Sequence, residues 1–224
     1  MKFVVVILVF LACALPAWGL SKEELDARIR SLAVKFDQMQ SKPDKRIPAA
    51  DLQKARGIVL LDRTKAGFIF AYQGGGGIAL AKQPKTGKWS APAFVKANEA
   101  SLGAQVGGQQ TFMVILLMST NAASKLSQSS FDFGGEASGT IGNSTGKAES
   151  SFSSTNQAPV QVYTDSTGLY GGAAIKGGAV SSDPDANAMY YGQAPTPSEI
   201  LSGDKVKPSE AAKDLAQKIT QASK

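Results

Sequence analysis

The apolar positions of this chain change period twice, and each change marks a different kind of element. Ser21 and Glu24 form a capping box, and Leu25, Ile29, Leu32, Phe36 and Met39 follow at steps of four and three, the spacing of one helical face. That pattern predicts an amphipathic helix over residues 21–40, closed by Pro43 and Asp44, with a short second helix from Pro48 through Arg56. From Gly57 onward the chain reads as short apolar runs broken by glycine: GIVLLD, AGFIFAYQ, GIALAKQ, KWSAPAFV and AQVGGQQTFMVILLMS. These are strand-like, with Pro84-Lys85-Thr86-Gly87 as a turn, and the unbroken apolar run 112–118 predicts a strand buried on both faces. A short helix is expected from Asn121 to Gln128 with Asn121 as its cap, then strands in FDFGGEASGTIG, APVQVYTD and GLYGGAAIKGGAV. Helices at Asp183–Tyr191, Pro197–Leu201 and Ser209–Ser223 close the chain.

The 23 glycines fall mostly in the strand-like segments, where they imply bulges, bends and close backbone approach. The expected fold class is therefore α+β: a strongly coiled, barrel-like antiparallel sheet with an N-terminal amphipathic helix and short C-terminal helices. Residues 1–19 read as a signal peptide, with Lys2, an apolar stretch from Phe3 to Leu15, and the small-x-small sequence Ala17-Trp18-Gly19. A lipoprotein anchor through Cys13 does not fit, because the apolar run continues past it. Residues 20–224 then make one domain, with helices over 21–56, a sheet core over about 57–181 and helices over about 183–223. The expected location is exported, either periplasmic or secreted.

Chemistry is constrained by what the chain lacks. There is no histidine, and the one cysteine would leave with the signal peptide, so the commonest neutral-pH acid–base group and any thiol chemistry are gone. Gly142-Asn143-Ser144-Thr145-Gly146 matches GxSxG without a histidine to serve it, and Ser144 with Lys147 matches SxxK in a Gly/Ser/Thr stretch instead of an apolar helix. Gly74–Gly77 lacks the spacing of a phosphate loop and reads as a strand kink. Asp183, Asp185 and Asn187 begin like a calcium loop, but Ala188 and Ala194 stand where the glycine and the final glutamate are needed. No cofactor, metal site or catalytic residue is expected, and the chain is read as a non-enzyme.

Charge supplies a positive signal. Residues 54–96 carry eight bases (Lys54, Arg56, Arg63, Lys65, Lys82, Lys85, Lys88, Lys96) against Asp62 alone, whereas residues 97–204 carry three bases and nine acids. Such segregation points to a face that meets an anionic surface. Arg63, Lys65, Lys82, Lys85 and Lys88 stand at the ends of adjacent strand-like runs, with Trp89 beside them, and a hairpin placing them on one edge would make a lipid-binding site. Nucleic acid is not an expected partner, since few aromatics interleave with the bases. The alternative reading is a structural or adaptor protein of the cell envelope that docks another protein.

Seven strings in order resemble the SYLF domain family: Lys65-Ala66-Gly67-Phe68, Gly77-Ile78-Ala79-Leu80-Ala81, Gly87-Lys88-Trp89-Ser90-Ala91-Pro92, Gln105-Val106-Gly107-Gly108-Gln109, Gly168-Leu169-Tyr170-Gly171-Gly172, Asp185 through Gly192, and Glu199-Ile200-Leu201-Ser202-Gly203. The resemblance implies a compact sheet-and-helix domain without catalytic residues, and lipid binding. In eukaryotic members it implies an N-terminal amphipathic helix that helps bind acidic phosphoinositides. In this chain that helix is nearly neutral, because Glu23, Glu24, Asp26 and Asp37 offset Lys22, Arg28, Arg30 and Lys35, and packing on its own domain is the better reading. Thr164-Asp165-Ser166-Thr167 stands where members often carry basic residues, so headgroup contacts do not carry over there.

Overall fold

The computed structural model describes residues 21–66, 70–102, 108–128, 130–133, 140–141, 160–168 and 178–224. The expected signal peptide and the GNSTG and SxxK motifs lie outside them.

The predicted first helix is α1, Lys22–Ser41, with the Ser21–Glu24 capping box formed in both directions. Leu25, Ile29, Leu32, Phe36 and Met39 are all buried, so the periodic face turns onto the protein's own core. α2 follows at Ala49–Lys54. An eight-stranded sheet then forms from β1 (Gly57–Ala66), β2 (Phe70–Ala81), β3 (Ala93–Leu102), β4 (Gly108–Leu117), β5 (Ser130–Phe133), β6 (Thr140–Ile141), β7 (Val160–Gly168) and β8 (Gly178–Ser182). α3 (Thr120–Ser124) and a 3₁₀ turn (Lys125–Ser127) lie between β4 and β5, and α4 (Pro184–Tyr191), α5 (Pro197–Leu201) and α6 (Glu210–Ala222) complete the chain.

The strand order is β5-β8-β3-β2-β1-β4-β7-β6, antiparallel throughout except for the parallel β6–β7 pair. The α+β class is as expected. The barrel-like closure is not: among the described residues the order begins at β5 and ends at β6 without pairing those two strands. Glycine serves close approach here instead of closure. A Cβ at Gly77 would lie 2.0 Å from the Leu60 carbonyl oxygen, and one at Gly76 would press on the Arg28 guanidinium at 3.0 Å. Gly74–Gly77 therefore does not interrupt the strand; it sits inside one continuous β2, paired with β1 on one side and β3 on the other.

Strand alternation divides the core between the two faces of the sheet. Ile58, Leu60, Ile78, Leu80, Phe94, Val114 and Leu116 join the buried side chains of α1, α2, α4 and α6. Val59, Leu61, Ala79, Val95, Met113, Ile115 and Leu117 face the other way, against Ala122 of α3, Leu126, and Ile200 and Leu201 of α5. Residues 112–117 are buried on both sides, as their apolar run requires. The cap of α3 is Ser119 and not Asn121: the Ser119 backbone is extended and its hydroxyl accepts from the Ala122 amide at 3.1 Å.

Three polar contacts seat the helices. Asn187 on α4 mimics a neighbouring strand by accepting from the Phe94 amide at 2.8 Å and donating to its carbonyl at 3.2 Å. Asp183 caps the same helix by accepting from the Ala186 amide and sits 3.3 Å from the Lys96 ammonium. The calcium-like string is thus built into the attachment of α4. The Tyr190 hydroxyl donates to Asp26 of α1 at 2.6 Å, and the Ser209 hydroxyl at the start of α6 lies 2.9 Å from the same oxygen, so three helices meet at one carboxylate.

Candidate functional site

The β1–β2 register separates the six residues expected to bind lipid. Gly57 pairs with Ala81, so Lys82 and the turn after it lie at the start of β1. Arg63 and Lys65 pair with Gly75 and Gln73 toward the opposite end, and six residues of strand put Arg63 roughly 20 Å from Gly57. One hairpin edge does not hold both groups. Arg63 is also buried, at 7% exposure, on the strand face that carries Val59 and Leu61. The Lys65 side chain lies outside the described residues.

At the Gly57 end the bases divide by role. The Lys82 ammonium donates to the carbonyl of Gln53 at 2.9 Å and sits 3.5 Å from that of Leu52, satisfying the C-terminal carbonyls of α2. It also stands 5.0 Å from the centre of the Trp89 ring, a cation–π contact across the isolated Lys82–Trp89 bridge. Partial burial, and then the nearby Arg56 guanidinium, hold its pKa below the usual lysine value. Trp89 is half-buried against the helix-side core. Lys82 and Trp89 therefore brace the turn.

Lys85 and Lys88 occupy the exposed turn itself, closed by the Gly87 amide donating to the Gln83 carbonyl at 2.8 Å and by Gly87 at φ 68°. Lys54 and Arg56, exposed at the end of α2, stand at the same end, as does exposed Lys125, which opens the 3₁₀ turn whose Leu126 packs against Gly57. None of these five cations has a carboxylate within 4 Å among the described residues. The Asp51 carboxylate accepts from the Tyr163 hydroxyl at 2.7 Å instead. By contrast three bases of the helical side are paired: Lys35 with Asp62 and Lys42 with Asp165, each at 2.5 Å, and Lys218 with Asp37 at 2.6 Å. Lys54 and Arg56 lay within the basic segment of the sequence but outside the strand-end pattern, and Lys125 lay outside the segment altogether. Only the β1–β4 pairing and the return of the chain after β4 bring Lys125 to that end.

The fold is a helix-backed α+β sheet with an unpaired cationic end, and the comparisons with known proteins fall in one family. The family model described as Ysc84, Las17-binding protein actin regulator, matches residues 98–222, and the chain belongs to this family, the one its SYLF-like strings resemble. LAS seventeen-binding protein 3 of Saccharomyces cerevisiae is 33% identical over 199 residues, covering 87% of this chain and 42% of its own length. Protein YSC84 of Saccharomyces cerevisiae is 35% identical over 176 residues, covering 77% and 37%. SH3 domain-containing YSC84-like protein 1 of Homo sapiens is 31% identical over 170 residues, covering 75% and 49%. The chain thus spans less than half the length of each of these three relatives.

Proposed function

We propose that this chain is a non-catalytic binding module that docks on an anionic lipid surface through the end of the sheet carrying Lys54, Arg56, Lys85, Lys88 and Lys125. The observation that carries the reading is that these five exposed cations share one end of the fold with no carboxylate within 4 Å among the described residues. Each base near an anionic membrane contributes about 1 kcal/mol, so five give reversible attachment between the millimolar and micromolar range. Lys82 supports this surface by fixing the turn, and Arg63 and Lys65 are not part of it. The module occupies residues 20–224 of an exported protein whose first nineteen residues are its signal peptide.

Vesicle flotation at low and high salt tests the proposal. Binding to phosphatidylglycerol-containing vesicles that salt weakens, with none to phosphatidylcholine vesicles, is the expected result; equal binding to both, or to neither, refutes it. A protein partner is the second reading, favoured by relatives named as LAS seventeen-binding and by the family's description as an actin regulator. Crosslinking to one defined protein, together with silence toward vesicles, selects that reading.

A further inference from the structure

A second cationic feature shares no residue with the proposed membrane surface. A cavity of about 270 Å³ opens where α4, the 202–209 connection and the first turns of α1 and α6 converge, and its walls include Lys22, Lys205, Lys207, Tyr191, Gln193 and Ser209. All three lysines are exposed, and none has a carboxylate within 4 Å among the described residues. Lys22 stands 5.8 Å from the centre of the Tyr190 ring, which forms the buried floor together with the edge-on ring of Tyr191, 5.0 Å away.

Exposed Glu23 and Asp204 flank Lys22 and Lys205 in the chain without an ion pair, and four other acids nearby are engaged. Asp26 accepts from the Tyr190 and Ser209 hydroxyls, and Glu199, close enough to Lys205 to feel its charge, accepts from the Thr196 amide at 2.9 Å. Glu210 accepts from Lys213 at 2.6 Å, and Glu24 closes the α1 capping box. The two helices that begin here are 20 and 13 residues long, and both direct the positive ends of their dipoles toward this corner.

We propose that this cavity binds a small phosphate monoester. Three ammonium groups around one opening repel one another until an anion joins them, and a phosphate monoester brings close to two negative charges and three acceptor oxygens near neutral pH. Lysine binds phosphate as a point charge, and the cavity walls carry three lysines. The volume lies just under the usual range for ligand pockets, about 300–1,000 Å³, which suits a compact molecule. The monoester is either a free metabolite or a lipid headgroup such as that of phosphatidic acid.

Titration calorimetry with glycerol phosphate, with glycerol and citrate as controls, tests the chemistry on the full chain and on the Lys205→Gln/Lys207→Gln variant. Flotation on phosphatidic acid vesicles against phosphatidylglycerol vesicles tests the lipid source, since the second presents only a phosphodiester. Saturable binding of glycerol phosphate, weakened at least about tenfold in the variant, supports a free monoester. Preference for phosphatidic acid, lost in the variant without glycerol phosphate binding, supports the same chemistry on lipid. Binding of neither monoester, equal affinity for citrate, or binding that the variant leaves intact overturns the proposal. An unchanged unfolding midpoint confirms that the variant folds, and Lys22→Gln serves as a second variant if it does not. Failure of the membrane reading would leave glycerol phosphate binding untouched, so the two proposals fail separately.

Discussion

The ammonium of Lys82 stabilises the end of α2, so its removal is a stability change before it is a binding change. Lys82→Met is expected to cost about 1 kcal/mol in denaturant unfolding, while Lys85→Ala and Lys88→Ala stay within about 0.5 kcal/mol of wild type and lower vesicle binding. The buried tyrosines set an alkaline limit. Burial first, and then the hydrogen-bonded carboxylates of Asp51 and Asp26, push the Tyr163 and Tyr190 hydroxyls far above their usual pKa. A raised tyrosine contributes stability that is complete below its unfolded value, about 10, and is lost as pH rises toward the folded value. Lys82, depressed in the fold, acts in the opposite sense up to its ordinary 10.5. Unfolding midpoints should therefore fall above about pH 10, and Tyr163→Phe should flatten that decline while losing about 1 kcal/mol at neutral pH. A midpoint in Tyr163→Phe that declines as steeply as wild type would contradict this assignment. At this scale the sequence showed which residues are basic but not which are occupied, because the acceptors of Lys82 are backbone carbonyls thirty positions away along the chain.

Among the elements, α1 was the most legible, since its period and capping box are local properties of the chain. Its apolar face buries five large side chains at about 2 kcal/mol each, on the order of 10 kcal/mol in all, which is comparable to the whole stability of a domain. Undocking α1 to enter a membrane would forfeit that packing, and Phe36→Ala should cost about 3–5 kcal/mol in thermal or denaturant unfolding. β2 was the least legible. Four consecutive glycines read as a kink, yet the strand continues because Gly77 lies so close to the Leu60 carbonyl that no side chain fits. Gly77→Ala should accordingly be among the most destabilising single changes, by more than about 3 kcal/mol or by loss of soluble protein. The boundary of α3 also moved, since a serine two residues earlier had the extended backbone and free hydroxyl that capping needs.

For the whole molecule, the charge segregation was visible as a count along the chain but not as a place. Antiparallel pairing sends Arg63 and Lys65 away from Lys85 and Lys88, and the turn after β4 returns Lys125 to them. Salt bridges on the helical side engage Lys35, Lys42 and Lys218, whereas the five bases at the Gly57 end have no carboxylate within 4 Å among the described residues. Among the described residues no helix is long and apolar enough to cross a membrane. The most direct test compares wild type with Lys85→Glu/Lys88→Glu in co-sedimentation with phosphatidylglycerol vesicles at low and high salt. The basic end predicts binding at low salt that falls with salt and is weakened at least about tenfold by the double reversal. Equal binding of the two proteins, or binding indifferent to salt, would contradict it.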